Sequence, residues 1–436
     1  MRTTIRSALV ASLALAVVLT GCKSSSDDEG SSTTDKSGST TTTDADTRST
    51  GVTDDAIQIG VAYLDLSAVE SIVNIRHGDY VKAYTAVIDD INAKGGINGR
   101  KLVPTFAPVP PSQLNPNGAD EACLKLTEDA QVFAAIGYFD GDAALCYVEQ
   151  HDTPIVGGNM STERRDRAKA PWFAIVTDND TRTTEGIAAL AKAGELDDAK
   201  VAMVANPVDA KSVELATDAL DDAGVELVDT AVFDASGGDV EAAAAQATTI
   251  AERFKSEGVT TIITLGDGAV NMSRGLARSG FTPRLVALNP DGIQAVAADK
   301  STDKSVLEDA IAVTDNPRGQ FTEEHFQACL KIVEPATGQT VQDPNTKPEG
   351  SPDYIVSALA ACQNTLLFAE IAEKAGKELN NSTFRAAGEE LGAFDLPGIP
   401  GSHYSAERPD GALPLYITRY DSDSERMITD EKAVTS

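Results

Sequence analysis

Short apolar runs alternate with amphipathic segments along most of the chain. Residues 56–62 (AIQIGVA) form an apolar, β-prone run directly after two aspartates, which predicts a buried strand. Apolar residues then recur at helical spacing from Val81 to Ile91, and Gly95 and Gly96 end the predicted helix. Because strands that alternate with helices usually pair in parallel, the pattern predicts an α/β architecture with parallel sheets.

The same alternation continues to residue 420. Further strands are predicted at residues 100–106, 132–138, 154–158, 200–205, 225–233, 260–265, 284–289, 310–314 and 413–420. Further helices are predicted at residues 120–129, 142–151, 211–223, 240–257, 269–280, 322–333 and 353–376. Residues 334–350 contain three prolines and are predicted to be a loop insertion. Two sets of about five strand–helix units indicate two similar lobes, because a single sheet of that many strands is unusual.

The first 21 residues have the pattern of a signal peptide. Arg2 and Arg6 provide the positive start, and the apolar run from Ala8 to Leu19 is too short to span a membrane comfortably. No twin-arginine pair is present, which favours the Sec route. The run ends in LTGC, which resembles the bacterial lipobox and predicts lipidation of Cys22. The alternative is an ordinary signal peptide with a chance cysteine.

Residues 22–53 are predicted to be a lipid-anchored, disordered tether. Serine and threonine dominate this segment, and no apolar period exists in it, so burial cannot offset the entropy cost of ordering the chain. A flexible segment of this length has an r.m.s. span of roughly 30 Å. We therefore expect the folded part to be held near a membrane, facing outside the cytoplasm at the cell surface or in the periplasm.

Composition narrows the classes of function. The chain has 436 residues, of which 42% are hydrophobic, so a sizeable core is available. With 36 Lys and Arg against 67 Asp and Glu, the formal charge is −31. Because binding to phosphate backbones or anionic lipid needs a basic surface, the charge argues against nucleic acid and polybasic membrane docking. We expect the N-terminal run to be the only stretch apolar enough to enter a membrane, which excludes a polytopic membrane protein.

Four cysteines remain in the exported part, an even number that suits disulfides. Three pairings are possible, and we favour the two local ones, Cys123–Cys146 and Cys329–Cys362. The rival is a zinc site. No CxxC pair exists and the four histidines do not cluster with the cysteines along the chain, so no metal is expected.

Three stretches resemble the periplasmic solute-binding proteins of the leucine/isoleucine/valine-binding type. They are IQIGVA at residues 57–62, DDINAKGGINGRKL at residues 89–102 and GFTPRLVALNPDG at residues 280–292. The resemblance covers roughly residues 56–425. It implies the type 1 periplasmic-binding (Venus-flytrap) fold, with two Rossmann-like lobes, three crossovers and a ligand cleft. It also implies a disulfide at Cys123 and Cys146.

With this fold, we expect the first lobe to comprise residues 54–177 and 315–395, and the second to comprise residues 178–314 and 396–436. Ligands of open parallel sheets bind beyond the carboxyl ends of the strands. The candidate ligand-binding residues are those in the loops at these ends: Tyr63, Tyr138, Asp140, Asp142, Asn159, Ser161, Asp209, Asp267 and Asp291.

The sequence departs from the amino-acid-binding pattern at one half of the site. The family's serine-rich loop, which holds the ligand carboxylate, is replaced here by FDGD at residues 139–142. Asp291 falls where the resemblance places an acid for the ligand's ammonium group, although turn chemistry alone also explains it. Asp140 and Asp142 suit helix N-caps as well as ligand contact. Tyr63 and Tyr138 are expected to line the lobe.

The sequence contains no GxSxG elbow, phosphate-binding GxxxxGK[ST] loop or HExxH helix. We therefore expect no enzyme activity and no cofactor. The predicted function is capture of a small solute, amino-acid-like, by a monomeric lipoprotein that delivers it to ABC permease subunits. The alternatives are a ligand-sensing surface receptor and a non-transport surface protein on the same fold.

Overall fold

The computed structural model describes residues 49–69, 76–112, 114–206, 210–233, 240–266, 268–299, 302–315, 321–348 and 350–434. The predicted signal peptide, Cys22, the tether up to residue 48, Asp209 and Asp267 lie outside the described residues.

The first half of the fold is built on a parallel five-stranded sheet with strand order β2-β1-β3-β4-β5. Its strands are β1 (Ala56–Leu64), β2 (Lys101–Val109), β3 (Ala134–Gly137), β4 (Ile155–Gly157) and β5 (Trp172–Phe173). The helices between them are α1 (Tyr80–Ala93), α2 (Gly118–Leu124), α3 (Ala143–Leu145) and α4 (Thr162–Arg167). Helices α2 and α3 each continue as one π-helical turn, at Lys125–Asp129 and Cys146–Gln150.

The second half is built on a seven-stranded sheet with strand order β14-β13-β10-β9-β8-β6-β7. Its strands are β6 (Lys200–Ala205), β7 (Glu226–Val232), β8 (Thr261–Thr264), β9 (Arg284–Ala287), β10 (Ile311–Thr314), β13 (Tyr416–Asp421) and β14 (Arg426–Thr429). Strands β13 and β14 are antiparallel to their neighbours and the others are parallel. Its helices are α5 (Asn179–Lys192), α6 (Ala210–Asp222), α7 (Val240–Glu257), α8 (Gly268–Ser279) and α9 (Asp291–Ala298).

Three later helices return to the first sheet. They are α10 (Glu324–Thr337), α11 (Ile355–Ala375) and α12 (Asn381–Glu389), and a small hairpin of β11 (Gly392–Ala393) and β12 (His403–Tyr404) follows them. The chain thus passes between the two sheets three times. The first crossover is residues 174–178, the second begins at Asp315 after β10, and the third is residues 405–415.

Helix α11 is the centre of the first core. Thirteen of its residues are buried, and Phe368 packs with Phe133 and Phe384 in one aromatic group. By length and apolar character this helix could also cross a membrane, but 72% of its apolar window is buried inside the protein. The expectation that only the N-terminus holds such a stretch was therefore wrong, because a core helix buried on every side has the same composition as a membrane span.

Both predicted disulfides are present. Cys123 and Cys146 join the helices before and after β3, with 6.3 Å between their Cα atoms. Cys329 and Cys362 join α10 to α11, with 6.2 Å between their Cα atoms. The local pairing is confirmed, and both disulfides link helices that cover the first sheet.

Three features differ from the sequence prediction. Helix α10 continues through Pro335 to Thr337, since a proline this close to the end costs one hydrogen bond before Gly338 ends the helix in the left-handed region. Helices α4, α5, α9 and α12 and the short strands β5, β11, β12 and β14 were not predicted. Thr, Asn and Gly weaken the apolar period of α5 and α12, while α4 and α9 have only six and eight residues. Residues 396–404 were assigned to the second lobe, yet Leu396, Ile399 and Tyr404 pack in the first core.

Candidate functional site

A cavity of about 1130 Å³ is lined by residues attached to both sheets. On the side of the first sheet, the lining comes from Asn159, in the loop after β4, and from residues 344, 345, 347, 348, 350 and 351. On the side of the second sheet, it comes from α9, the end of β10 and the β13–β14 hairpin. The first crossover and the first turn of α5 also contribute. A solute in this cavity would contact both halves of the fold.

Two of the predicted site residues line this cavity. Asn159 is exposed two residues after β4, and Asp291 is exposed as the first residue of α9. The Asp291 backbone N–H donates to Asn289 Oδ1 at 2.8 Å. This hydrogen bond fixes the turn that leads into α9. The Asp291 carboxylate has no ion-pair partner among the described residues.

Three other predicted residues make local contacts and are not among the cavity-lining residues. The Asp142 carboxylate accepts a hydrogen bond from Arg164 Nε at 2.9 Å, and its side chain is 74% exposed. Ser161 caps α4, since its Oγ accepts from the Arg164 N–H at 3.3 Å. Asp140 is exposed, and its backbone carbonyl accepts from the Ala143 N–H. Ser161 is thus a helix N-cap, a role that was expected from the sequence only for Asp140 and Asp142. Asp142 precedes α3 but makes no side-chain cap bond.

The two predicted tyrosines belong to a separate aromatic group at the carboxyl ends of β1 and β3. Tyr63 stacks on Tyr80 with ring centroids 6.1 Å apart, and the Tyr80 hydroxyl lies 3.1 Å from His77 Nδ1. Burial, and then the nearby Asp140, raise the pKa of Tyr138 to about 12. Burial also raises the pKa of Tyr80. These phenols stay protonated near neutral pH and can donate hydrogen bonds.

A buried ion pair joins the first and second crossovers. Asp315 Oδ2 accepts from the Thr177 N–H at 2.5 Å and from Arg182 Nη2 at 3.1 Å. Arg182 Nη2 also donates to the Thr177 carbonyl at 2.9 Å. The side chains of Arg182 and Asp315 are 13% and 6% exposed, and both residues line the cavity. This pair therefore connects the cavity to the crossovers.

A second buried carboxylate joins the first and third crossovers. Asp410 Oδ2 accepts from the Asp178 N–H at 2.9 Å, and Asp410 Oδ1 accepts from Arg408 Nε at 2.9 Å. Arg408 Nη1 reaches Glu185 Oε1 on α5, also at 2.9 Å. The backbone N–H groups of two successive residues in the first crossover, Thr177 and Asp178, thus donate hydrogen bonds to carboxylates of the second and third crossovers. We call Thr177, Asp178, Arg182, Asp315, Arg408 and Asp410 the crossover cluster.

The other cations of the cavity differ in how they are paired. Lys347 forms an ion pair with Asp353 at 3.0 Å. Lys304 Nζ donates to the carbonyls of Val296 and Asp299, at the end of α9, and Arg426 Nη1 donates to the Pro344 carbonyl at 3.5 Å. Within the described part of the chain, neither Lys304 nor Arg426 has a carboxylate partner.

Sequence reasoning missed Arg182, Asp315 and Lys304. Asp315 follows a predicted strand directly, so the same strand-end rule that selected Asp291 selects it too. No comparable signal exists for Arg182, which is 133 residues from Asp315, or for Lys304, in a short 3₁₀ turn after α9.

Among the described residues, one cluster has the residue types of a metal site. Cys123, Cys146 and His151 bring their ligand atoms within 4.8 Å of one another. The two sulfur atoms are bonded to each other, so neither is a thiolate that could bind a metal ion.

Comparison with known proteins gives matches to a family model and to solved structures. A family model described as periplasmic binding protein matches residues 57–425. An ABC transporter substrate-binding protein from Desulfitobacterium hafniense, solved in complex with Leu, is 17% identical with a TM-score of 0.62, covering 86% of this chain and all of that one. A leucine-binding protein from Thermotoga maritima is 12% identical with a TM-score of 0.61, covering 86% of this chain and 98% of that one.

A third solved structure is a solute-binding protein from R. palustris in complex with 4-hydroxybenzoate. It is 14% identical with a TM-score of 0.61, and the match covers 87% of this chain and 96% of that one. A search among curated protein sequences gives no significant match. Since the family model covers most of the chain, the chain belongs to the periplasmic binding protein family.

Proposed function

We propose that this periplasmic binding protein captures a small, amino-acid-like solute in the cavity and releases it unchanged to an ABC transporter. The observation that carries the proposal is that Asp291 and Asn159, on opposite halves of the fold, line one cavity. Asp291 offers a carboxylate to an ammonium group, and Asn159 offers an amide that both donates and accepts hydrogen bonds. The protein acts outside the cytoplasm, as its family does.

The ligands of two similar structures support this solute class. Leucine occupies the Desulfitobacterium hafniense protein and 4-hydroxybenzoate occupies the R. palustris protein. Both ligands are small and carry a carboxylate. A solute that contacts both halves of the fold binds most tightly to the conformation in which both halves reach it. Binding would therefore favour a closed cavity over an open one.

A thermal-shift screen of amino acids, amides, short peptides, aromatic acids and sugars tests the proposal. A ligand present at about 100 times its Kd stabilises the folded state by roughly 2.7 kcal/mol. We expect at least one amino-acid-like compound to raise the melting temperature. If only sugars did so, the proposed solute class would be wrong.

We also propose that the protein is lipid-anchored at Cys22, with residues 1–21 removed as a signal peptide. The LTGC run behind a short apolar segment supports this. Several acyl chains, at roughly 0.8 kcal/mol per buried methylene, would hold the protein at a membrane through residues 23–53.

Replacement of the anchor cysteine tests the lipid attachment. We expect Cys22→Ala to give an unprocessed precursor or a soluble protein in membrane fractionation, while the wild type sediments with membranes. A fully processed Cys22→Ala protein that still sediments with membranes would refute the proposal.

A further inference from the structure

One wall of the cavity carries two opposite charges at its two ends. Asp291, Gln294 and Ala298 follow one another at helical spacing and line the cavity, so they share one face of α9. Lys304 also lines the cavity, and its ammonium group bonds to carbonyls at the carboxyl end of the same helix. We call these four residues the α9 wall.

Two of the other cations that line the cavity form ion pairs. Arg182 is paired with Asp315 and Lys347 with Asp353. Glu425 and Arg426 form no ion pair in the described part of the chain, but they are successive residues of opposite sign at one point of the cavity lining. The α9 wall holds one acid and one cation that have no charged partner among the described residues and that lie at opposite ends of a helix.

The length of α9 sets the distance between these two charges. Asp291 and Ala298 are seven residues apart, which corresponds to about 10 Å along a helix axis at 1.5 Å per residue. The Lys304 ammonium group lies at the far end, between the carbonyls of Val296 and Asp299. A free α-amino acid carries its ammonium and carboxylate on one carbon atom, so it cannot reach both ends at once.

From this geometry we infer that the solute is an elongated zwitterion whose ammonium group binds Asp291 and whose carboxylate binds Lys304. Three extended residues span about 10 Å at 3.3–3.6 Å each, so a tripeptide has the required length. The inference rests on the proposed function and narrows its solute class.

Two further features of the cavity fit this class. The Gln294 side chain lies between the charged ends and can both donate to and accept from a peptide group, and Ala298 leaves room beside it. The cavity of about 1130 Å³ slightly exceeds the roughly 300–1,000 Å³ typical of small-molecule pockets. A single amino acid would leave most of it filled with water.

Calorimetry with a length series tests the inference on the wild-type protein. The probes are alanine and leucine, each from the free amino acid to the tetrapeptide, with N-acetylated and C-amidated tripeptides. We expect a tripeptide to bind at least about tenfold more tightly than its amino acid, and each blocking group to weaken binding by about tenfold or more. Two ω-amino acids, 6-aminohexanoate and 8-aminooctanoate, distinguish a peptide from another elongated zwitterion.

Variants locate the two ends of the site. Asp291→Asn and Lys304→Gln should each weaken tripeptide binding by about tenfold or more, whereas Arg426→Gln, in the same cavity, should change it less than about twofold. Exposed Lys211→Gln serves as the matched control outside the cavity. If Lys304→Gln fails to fold, the blocked peptides still test both ends.

The outcomes separate this inference from the proposed function. Tighter binding of a free amino acid than of its tripeptide would overturn the inference and leave the proposed function intact. So would unchanged affinity for blocked tripeptides, or a larger effect of Arg426→Gln than of Lys304→Gln. No binding of any amino acid, peptide or ω-amino acid at about 10 mM would overturn both, since even a millimolar Kd would give a signal.

Discussion

The crossover cluster and the α9 wall use the same kinds of charged residue in opposite ways. Asp315 and Asp410 are buried, and each accepts hydrogen bonds from an arginine and from a backbone N–H group. Asp291 is exposed at the cavity and Lys304 bonds to two backbone carbonyls, and neither has an ion-pair partner among the described residues. Burying a charge is tolerable only when it is paired, whereas an exposed charge stays available to a ligand. Substitutions in the first region should therefore affect folding, and those in the second should affect binding.

We expect the largest effect from Asp315→Asn. The change leaves Arg182 buried without the carboxylate of Asp315, and breaking such a pair costs about 3–5 kcal/mol of unfolding free energy. Urea denaturation of the ligand-free protein measures it. Asp89→Asn, exposed on α1, is the matched control and should change stability by less than about 0.5 kcal/mol. Equal stability of the two variants would contradict the structural role of the Asp315 pair.

Asp410→Asn should cost less, about 1–3 kcal/mol. An asparagine oxygen can still accept from the Asp178 N–H, and Arg408 keeps its ion pair with Glu185 at 2.9 Å. The same urea experiment compares the two crossovers directly. A larger loss for Asp410→Asn than for Asp315→Asn would show that the third crossover, not the second, dominates the cluster.

Asp291→Asn should change binding and not folding. We expect the affinity for the best ligand of the screen to fall by one to two orders of magnitude, about 1.4–2.8 kcal/mol. The unfolding free energy of the ligand-free variant should stay within about 0.5 kcal/mol of the wild type, since Asp291 is exposed. Calorimetry and urea denaturation measure the two quantities. Unchanged affinity in a folded variant would leave Asp291 as a turn residue only.

The smallest effect is expected from Glu185, at the solvent edge of the crossover cluster. Burial raises the pKa of its carboxyl group, with Arg408 opposing the rise and Asp410 and Asp178 adding to it. The folded protein therefore holds this proton more tightly than the unfolded chain does. Its contribution is complete below the ordinary carboxyl pKa and is lost as pH rises through the raised one.

Comparison with Glu185→Gln isolates this contribution. The unfolding free energy of the wild type minus that of the variant should decrease as pH rises from about 4 towards neutrality. Urea denaturation at several pH values measures the difference. A difference that increases over this range would mean that the ion pair with Arg408 outweighs the burial of the carboxyl group.

The sequence by itself determined the regular part of the fold. Strand–helix alternation predicted two parallel sheets, because apolar period and turn residues are local properties of the sequence. Only the antiparallel β13 and β14 depart from this prediction among the described strands of the two large sheets. Local spacing also predicted both disulfides, whose partners are 23 and 33 residues apart. The rule that ligands bind beyond strand ends selected Asn159 and Asp291, and both line the cavity.

Only the tertiary structure decided which charged residues meet. Asp142 begins a predicted helix and Asp315 directly follows a predicted strand, and nothing local to either residue distinguishes their environments. Yet one forms an exposed pair with Arg164 and the other a buried pair with Arg182. Arg182 and Asp315 are 133 residues apart, and Asp178 and Asp410 are 232 apart. No local pattern encodes such contacts, because they exist only once the three crossovers bring distant segments together. Whether a charge is paired in the fold or left for a ligand depends on that assembly.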